Sequence, residues 1–219
     1  MTIPLAEFTQ NDPRLTIDEA THTYWLGSHR LTSVTQVLGL TGLADFNAPW
    51  FTDAVQAKGT HLHAAIALDM EGDLDEDSLD EETLGGVAGW RKYLADSGAK
   101  LEFGEYPLCD PSLGVAGRLD YVMLKPDPRY PGRIVRELLD IKRGLYPSAA
   151  IQLAAYADMV LPLYPRPVIL ERAALVLPGD GTYHREPFKD HTDRATWHAA
   201  VRTLNWRRKH LDLREDLAA

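Results

Sequence analysis

Three strand-like segments follow one another in the second half of this chain, and they constrain its fold more than any other feature. The segments span residues 101–108, 115–124 and 133–141, and turns rich in Pro, Gly and Asp separate them. Consecutive strands with short connections usually lie side by side in one sheet. The sequence therefore predicts a three-stranded meander as the core of the fold.

Helical and strand-like patterns lie on both sides of this meander. After it we expect a helix at residues 148–161, strands at 170–177 and 182–188, and a closing helix at 193–211. Before it we expect a hairpin within residues 15–32, a short helix at 33–38 capped by Ser33, and helices at 49–57, 60–70 and 84–96. This order indicates an α/β (α+β) protein whose mixed β-sheet core is flanked by helices, with a helical N-terminal elaboration.

The length of the chain suits a single domain. Its 219 residues can bury a substantial core, with residues 1–100 as the hairpin and helical part and residues 101–219 as the sheet core and closing helix. No G-x-G-x-x-G or G-x-x-x-x-G-K-[ST] run is present, which argues against a dinucleotide-binding fold and a phosphate-binding loop. We expect one domain over residues 1–219.

Composition favours the cytoplasm and argues against a membrane. Hydrophobic residues make up 45% and charged residues 25% of the chain, the ordinary balance of a soluble globular protein. The N-terminus lacks the basic flank and apolar run of a signal peptide, and prolines at 162, 165 and 167 interrupt the best candidate for a membrane span. The single cysteine, Cys109, excludes an internal disulfide. We expect a cytoplasmic protein with no membrane partner.

The charge of the chain is unevenly distributed. The formal net charge is −9 and the isoelectric point is near 5.3, which is not typical of a nucleic-acid-binding surface. Residues 71–82 carry much of the acidic excess, whereas residues 202–209 are basic. Phosphate contacts need only a local basic groove, so the net charge does not exclude them. The acidic run is interpreted as a solvated loop, with a DNA-mimicking or partner-repelling role as the alternative.

Two carboxylates and a lysine fall near the ends of the second and third segments of the meander. Asp120 lies in the second segment, and Asp140 and Lys142 end the third. Side chains alternate along a strand, so Asp140 and Lys142 project from the same face, and pairing of the two strands brings Asp120 beside them. Magnesium prefers such oxygen ligands, and an ammonium group offsets charge in a phosphoryl transition state.

These residues resemble the D…(D/E)-x-K core of the PD-(D/E)XK nucleases. Residues 152–156 (QLAAY) are similar to the Q-x-x-x-Y element of the RecB-like branch, and residues 59–63 (GTHLH) are similar to its upstream G-T-x-x-H element. Residues 31–35 (LTSVT) resemble the start of phage-type and mitochondrial relatives. The four elements occur in the family's order between residues 21 and 157, which is more specific than any one of them alone.

The resemblance implies a role for each matching residue at the metal. Asp120 and Asp140 would be the metal-binding carboxylates. The backbone carbonyl of Ile141 would be a further ligand, and His63 would approach the metal from the helical half. Lys142 would position the nucleophilic water.

Other positions support this site or depart from the family pattern. Gln152 and Tyr156 share one helix face and would support the lysine and the DNA phosphate, and Glu105 is an additional acidic candidate. Arg143 stands where many relatives carry Thr or Ser, and we expect it to contact a phosphate. Ala67 replaces a common Glu, which argues against a second metal site of that type. The cluster-binding cysteines of several relatives are absent, so no iron–sulfur cluster is expected.

Several of these residues also fit purely structural roles. Asp120 fits a capping or pairing role at a sheet edge, and Lys142 fits a solvated strand end. His63, Gln152 and Tyr156 fit packing roles in helices.

The tryptophans are expected to have two different roles, packing in the core and stacking on a nucleic-acid base. Trp50 precedes the histidine helix, where a DNA strand would enter, and it is kept as a candidate for stacking on a base. The others are expected to lie in the core: Trp25, Trp90, Trp197 and Trp206.

The motifs together predict a metal-dependent deoxyribonuclease with Mg²⁺ or Mn²⁺ as its cofactor. We expect a bacterial or phage-encoded exonuclease, or a nuclease that prefers single strands and ends, acting on DNA in recombination, repair or replication. The weak basic character leaves room for a recombination or replication partner protein that delivers the DNA. Two alternatives stay open: a structure- or sequence-specific endonuclease, and a catalytically silent nucleic-acid-binding module of the same restriction-endonuclease-like fold.

Overall fold

Eight strands and five α-helices make up the part of the chain that the computed structural model describes, residues 4–9, 11–45, 48 and 52–211. The strands are β1 (Leu15–Asp18), β2 (Thr23–Leu26), β3 (His29–Ser33), β4 (Lys100–Asp110), β5 (Val115–Pro126), β6 (Ile134–Lys142), β7 (Leu170–Val176) and β8 (His184–Pro187). The helices are α1 (Val34–Leu40), α2 (Asp53–Glu71), α3 (Glu81–Ser97), α4 (Ser148–Val160) and α5 (Thr192–His210). Short 3₁₀ turns occur at Leu5–Glu7, Glu76–Ser78 and Leu161–Leu163.

Strand β5 is the centre of one mixed sheet. Along one edge it pairs antiparallel with β4. Along the other edge it pairs antiparallel with β6 from Tyr121 to Pro126, and parallel with β3 at Val115 and Ala116. The sheet continues from β6 through β7 to β8, and from β3 through β2 to β1. Because β3 and β6 share one edge, no described strand pairs with that edge of β5 over residues 117–120, and a gap in the sheet results.

Helices cover both faces of the sheet. Helices α1, α4 and α5 pack on one face, in a core that contains Leu138 and Trp197. Helices α2 and α3 pack on the other face, in a core that contains Leu139 and Trp90. Leu138 and Leu139 are neighbours in β6 and point to opposite faces, as strand alternation requires. Fully burying a side chain of this kind contributes about 1.5–3 kcal/mol, so both helical layers are tied to the sheet. Within the described ranges, no helix is long and apolar enough to cross a membrane.

The sequence prediction of the central meander and of the Ser33 cap is confirmed. Strands β4, β5 and β6 occupy the three predicted segments and pair in that order. The amide of Gln36 donates to Ser33 Oγ at 3.0 Å, and the amide of Ser33 donates to Gln36 Oε1 at 3.0 Å. This reciprocal capping box starts α1 directly after β3.

The two predicted helices at residues 49–57 and 60–70 are one continuous helix. Helix α2 has 19 residues and runs through Gly59 without a break. A single glycine in a helix costs about 1 kcal/mol relative to alanine, which is too little to end a helix of this length. The predicted start at Pro49 lies outside the described residues.

Two further boundaries differ from the sequence prediction. The predicted hairpin is a three-stranded meander, because β1 pairs with β2 over four residue pairs. Helix α3 begins inside the acidic run rather than at residue 84. Its start is set by Asp80, whose side chain accepts a hydrogen bond from the amide of Thr83 at 2.7 Å.

Helix α3 lies very close to the loop between β7 and β8. A Cβ atom on Gly85 would lie 1.9 Å from the carbonyl oxygen of Gly179, and one on Gly89 would lie 2.3 Å from that of Thr182. Both neighbours are backbone atoms, so a rotamer change cannot relieve the overlap. Glycine at these two positions lets the helix approach the sheet.

We expect alanine at two helical glycines to change stability in opposite directions. Gly89→Ala should lower the free energy of unfolding by about 1–3 kcal/mol, because the added methyl group forces α3 away from the loop. Gly59→Ala should raise it by up to about 1 kcal/mol, because no atom lies within 4 Å of its Cβ position and alanine favours the helix. Urea denaturation followed by circular dichroism measures both values, and equal effects would contradict this account of α3.

Candidate metal centre

Asp120 lies where strands β5 and β6 part. The ladder between them ends at the pair Tyr121–Leu139. Beyond that pair, the amide of Ile141 donates to Asp120 Oδ2 at 2.6 Å instead of to a backbone carbonyl. The carboxylate is thereby held at the end of the gap nearest Tyr121.

Asp140 and Lys142 form a partly buried ion pair beside Asp120. Lys142 Nζ donates to Asp140 Oδ1 at 2.9 Å, as expected for two residues on one face of a strand. Asp140 is only 2% exposed, and its Oδ2 has no hydrogen-bond partner among the described residues. Burial raises the pKa of Asp140 to about 6, with a further upward contribution from Asp120, although Lys142 opposes the shift. A buried oxygen without a donor needs an explanation, and a bound ion or water is a common one.

His63 and Glu105 complete the group from two other elements. His63 projects from α2, and its Nδ1 lies 3.6 Å from Glu105 Oε1 and 3.8 Å from Asp120 Oδ2. His63 Nε2 lies 3.2 Å from the carbonyl oxygen of Ile141. Burial lowers the pKa of His63, but the carboxylates of Asp120 and Glu105 outweigh that effect and raise it to about 9. The imidazolium therefore offsets part of the negative charge in the metal-free protein.

The backbone of Glu105 is strained. Its φ angle is +47°, in the left-handed region that non-glycine residues seldom adopt. The residues on either side of Glu105 pair with those on either side of Asp120, so the two acids lie opposite each other on β4 and β5. The sequence analysis held Glu105 only as an additional candidate, because a single acid in a strand has no local signal for this conformation.

His63, Glu105 and Asp120 can hold a metal ion. One ligand atom from each residue lies within 4.8 Å of the others. One imidazole nitrogen and carboxylate oxygens suit several divalent ions. Oε1 of Glu105 is buried and accepts no hydrogen bond from the described residues, as expected of an oxygen that serves as a metal ligand. The sequence had predicted Asp140 in this group rather than Glu105. Asp140 lies beside the group and forms an ion pair with Lys142.

The carbonyl oxygen of Ile141 lies within hydrogen-bonding distance of His63. A metal-bound histidine commonly donates its second ring N–H to a backbone carbonyl, which fixes the tautomer. The contact between His63 Nε2 and Ile141 O has this form, with Nδ1 then free to face the carboxylates. The expected role of Ile141 as a direct ligand stays a prediction.

Gln152 and Tyr156 face a cleft of about 220 Å³ next to this group. A Cβ atom on Gly117 would lie 2.6 Å from the Tyr156 ring, so glycine there lets the ring lie against β5. Burial raises the pKa of Tyr156 well above its usual value, Asp120 and Asp140 contribute to the rise, and Gln152 hydrogen-bonds its hydroxyl. The two helix residues therefore share one face, and Tyr156 lies within electrostatic reach of both site acids.

Arg143 lies away from this group. Its Nη1 donates to the carbonyl oxygen of Glu82 at 3.2 Å, and its Nη2 donates to Thr83 Oγ1 at 3.4 Å. The side chain is 14% exposed and joins the end of β6 to the start of α3. Its expected phosphate contact stays a prediction, and the contacts present are structural.

The tryptophans only partly follow the sequence prediction. Trp90 and Trp197 are fully buried, as expected. The expectation of burial is wrong for Trp25, which is 38% exposed on the outer face of β2, and for Trp206, which is 57% exposed on α5 and stacks on His210. Trp50, the candidate for base stacking, lies outside the described residues.

Comparison with known proteins assigns no role to any of these residues. No family model and no curated protein matches the chain. The function is therefore inferred from the geometry of His63, Glu105 and Asp120, together with the adjacent Asp140–Lys142 pair.

Metal binding is expected to release about one proton at pH 7. The pKa of His63 is about 9 in the metal-free protein, so the ring carries a proton that a ligating nitrogen must lose. The apparent affinity should rise about tenfold per pH unit between pH 7 and pH 9, and should level off once His63 is deprotonated before binding. Titration calorimetry with Mn²⁺ in two buffers of different ionisation enthalpy measures the number of protons.

His63→Ala is the matched control for this measurement. The variant should bind Mn²⁺ more weakly and should not release this proton. Wild-type protein that binds Mn²⁺ without proton release would show that His63 is not a ligand.

Proposed function

We propose that this chain is a deoxyribonuclease that hydrolyses DNA phosphodiester bonds with Mg²⁺ or Mn²⁺. The observation that carries the proposal is the convergence of His63, Glu105 and Asp120 beside the partly buried Asp140–Lys142 pair, close to a cleft that Arg118 and Tyr156 line. A folding role alone does not account for this group, because two of its buried carboxylate oxygens, Glu105 Oε1 and Asp140 Oδ2, have no donor among the described residues. The resemblance to PD-(D/E)XK nucleases and their restriction-endonuclease-like fold agrees with the proposal.

His63, Glu105 and Asp120 would hold the metal, with Asp140 adjacent. A bound divalent ion supplies Lewis-acid stabilisation of a phosphoryl oxygen and lowers the pKa of water. The acids also have to be ionised for this role. Because the pKa of Asp140 is about 6, its carboxyl group is mostly ionised at neutral pH.

Lys142 acts as a hydrogen-bond donor and positive charge in this proposal. Burial lowers its pKa, but Asp140 and Asp120 raise it more, so the net shift is upward. The side chain therefore stays an ammonium group at neutral pH and does not serve as a general base. One of its three N–H groups is used by Asp140. The other two remain to hold the attacking water and to offset charge on the phosphate.

The resemblance to phage-type relatives favours one mode of cleavage. Residues 31–35 (LTSVT) and the motifs that follow them are similar to those relatives. We therefore favour an exonuclease, or a nuclease that prefers single strands and ends, over an endonuclease that acts within a duplex.

The acidic character of the chain supports a delivery partner. The formal net charge is −9, so long-range attraction of DNA is weak. We propose that a recombination or replication protein brings DNA to the cleft.

Lys142→Ala should abolish metal-dependent cleavage of linear DNA. Loss of the ammonium group removes the donor to the water and should lower the rate at least a hundredfold. The assay compares end-labelled linear DNA and closed circular DNA in Mg²⁺, for wild type and variant, with circular dichroism as a check on folding. Lys92→Ala, which removes an ammonium group from the exposed surface of α3, serves as the control.

Each outcome assigns a different function. Loss of label from linear DNA only, abolished by the substitution, supports an exonuclease. Cutting of the closed circle by the wild type would favour the endonuclease alternative. No cutting of either substrate with Mg²⁺ or Mn²⁺ would overturn the proposal and favour the silent binding module.

A further inference from the structure

Arg118 stands on β5 two residues before Asp120. The two residues lie about 7 Å apart along the backbone. Burial lowers the pKa of Arg118, but Glu19 and, more weakly, Glu105 raise it above its usual value. Glu105 belongs to the candidate metal group, so the guanidinium lies within electrostatic reach of that group while lining the cleft.

The guanidinium of Arg118 is only partly satisfied. Its Nη2 donates to Glu19 Oε1. Its Nε is buried and has no acceptor among the described residues. Nε and one Nη together form the fork that binds two oxygens of a phosphate or carboxylate. Of these two donors, Nη2 is therefore occupied by a carboxylate, and Nε has no acceptor among the described residues.

Glu19 lies in a turn that side-chain hydrogen bonds stabilise. The side chain of Asp18 accepts hydrogen bonds from the amides of Ala20 at 3.0 Å and Thr21 at 3.3 Å. The turn ends at His22, which lines the cleft with a φ angle of +47°. Glu19 itself is 63% exposed, so water competes for its carboxylate and its ion pair with Arg118 is weak.

The cleft needs a positive charge to accept DNA. Glu105, Asp120 and Asp140 lie next to it and repel a phosphate until a cation is bound. Among the described residues that line the cleft there is no carboxylate, and Arg118 is the one arginine or lysine. The other polar groups that it offers are neutral donors such as Tyr24 and Gln152.

We propose that Arg118 binds a backbone phosphate of the DNA strand next to the one at the metal centre, and that Glu19 occupies this phosphate site until the strand displaces it. The inference rests on the proposed function and adds a substrate-binding residue to it. In the DNA-bound state both Nε and Nη2 of Arg118 donate hydrogen bonds to the phosphate. In the contact with Glu19 only Nη2 donates. Glu19 acts as a built-in competitor, so its removal strengthens binding whereas removal of Arg118 weakens it.

The test measures binding of a fluorescein-labelled oligothymidylate by anisotropy, with Ca²⁺ in place of Mg²⁺ to limit cleavage. Arg118→Gln should weaken binding about tenfold or more, because a hydrogen-bonded charge is lost. Glu19→Gln should tighten it about two- to fivefold at low salt, and this gain should shrink as salt screens the ion pair. In the double variant the gain from Glu19→Gln should vanish, because the freed arginine is absent.

The Glu76–Arg91 pair is the matched control. Both partners are about half exposed, and the pair joins α3 to the 3₁₀ turn at Glu76–Ser78, away from the cleft. Glu76→Gln and Arg91→Gln make the same charge changes as the test variants, and they should alter affinity less than twofold.

The outcomes separate this inference from the proposed function. If wild type cuts DNA but Arg118→Gln binds normally, or Glu19→Gln tightens binding equally without Arg118, the inference is wrong and the nuclease proposal stands. If wild type neither binds nor cuts DNA, both are wrong.

Discussion

The hydrogen bond from the Ile141 amide to the Asp120 carboxylate is the interaction on which the candidate site depends. It replaces the backbone ladder at the point where β5 and β6 separate. The separation leaves room for β3 to pair with the same edge of β5 at Val115 and Ala116. Without this gap, the sheet would keep residues of the two helical layers apart. Through it, His63 from one layer and Tyr156 from the other come within electrostatic reach of Asp120.

Two buried carboxylates of β6 show how a structural acid differs from a candidate functional one. Glu137 is fully buried and accepts hydrogen bonds from Tyr93, Lys125 and Arg185. Burial raises its pKa, but these partners outweigh burial and the net shift is downward. Asp140, three residues later, has one oxygen without a donor and a pKa raised to about 6. The protein therefore satisfies one acid completely and leaves the other with unused acceptor capacity, as a cation or water ligand requires.

The sequence predicted those features that depend on local patterns. The meander follows from turn residues and strand periodicity, and the pairing of Asp140 with Lys142 follows from alternation along one strand. His63 was reached through its resemblance to a motif, not through periodicity. The contact of Glu19 with Arg118 joins residues 99 positions apart, and no local sequence pattern predicts it. The continuity of α2 through residues 57–60 was not predicted, because the short segments on either side each have a helical pattern of their own.

The left-handed backbone at Glu105 lowers the stability of the fold at a residue that the candidate metal centre needs. Such a conformation costs about 1–3 kcal/mol for a residue with a side chain, and glycine adopts it without strain. Glycine would also remove one carboxylate from an acidic group, and with it a candidate metal ligand. A laboratory screen that selected only for heat resistance would therefore tend to replace Glu105. Engineering of this protein for stability should retain Glu105 and seek its gains away from the metal centre.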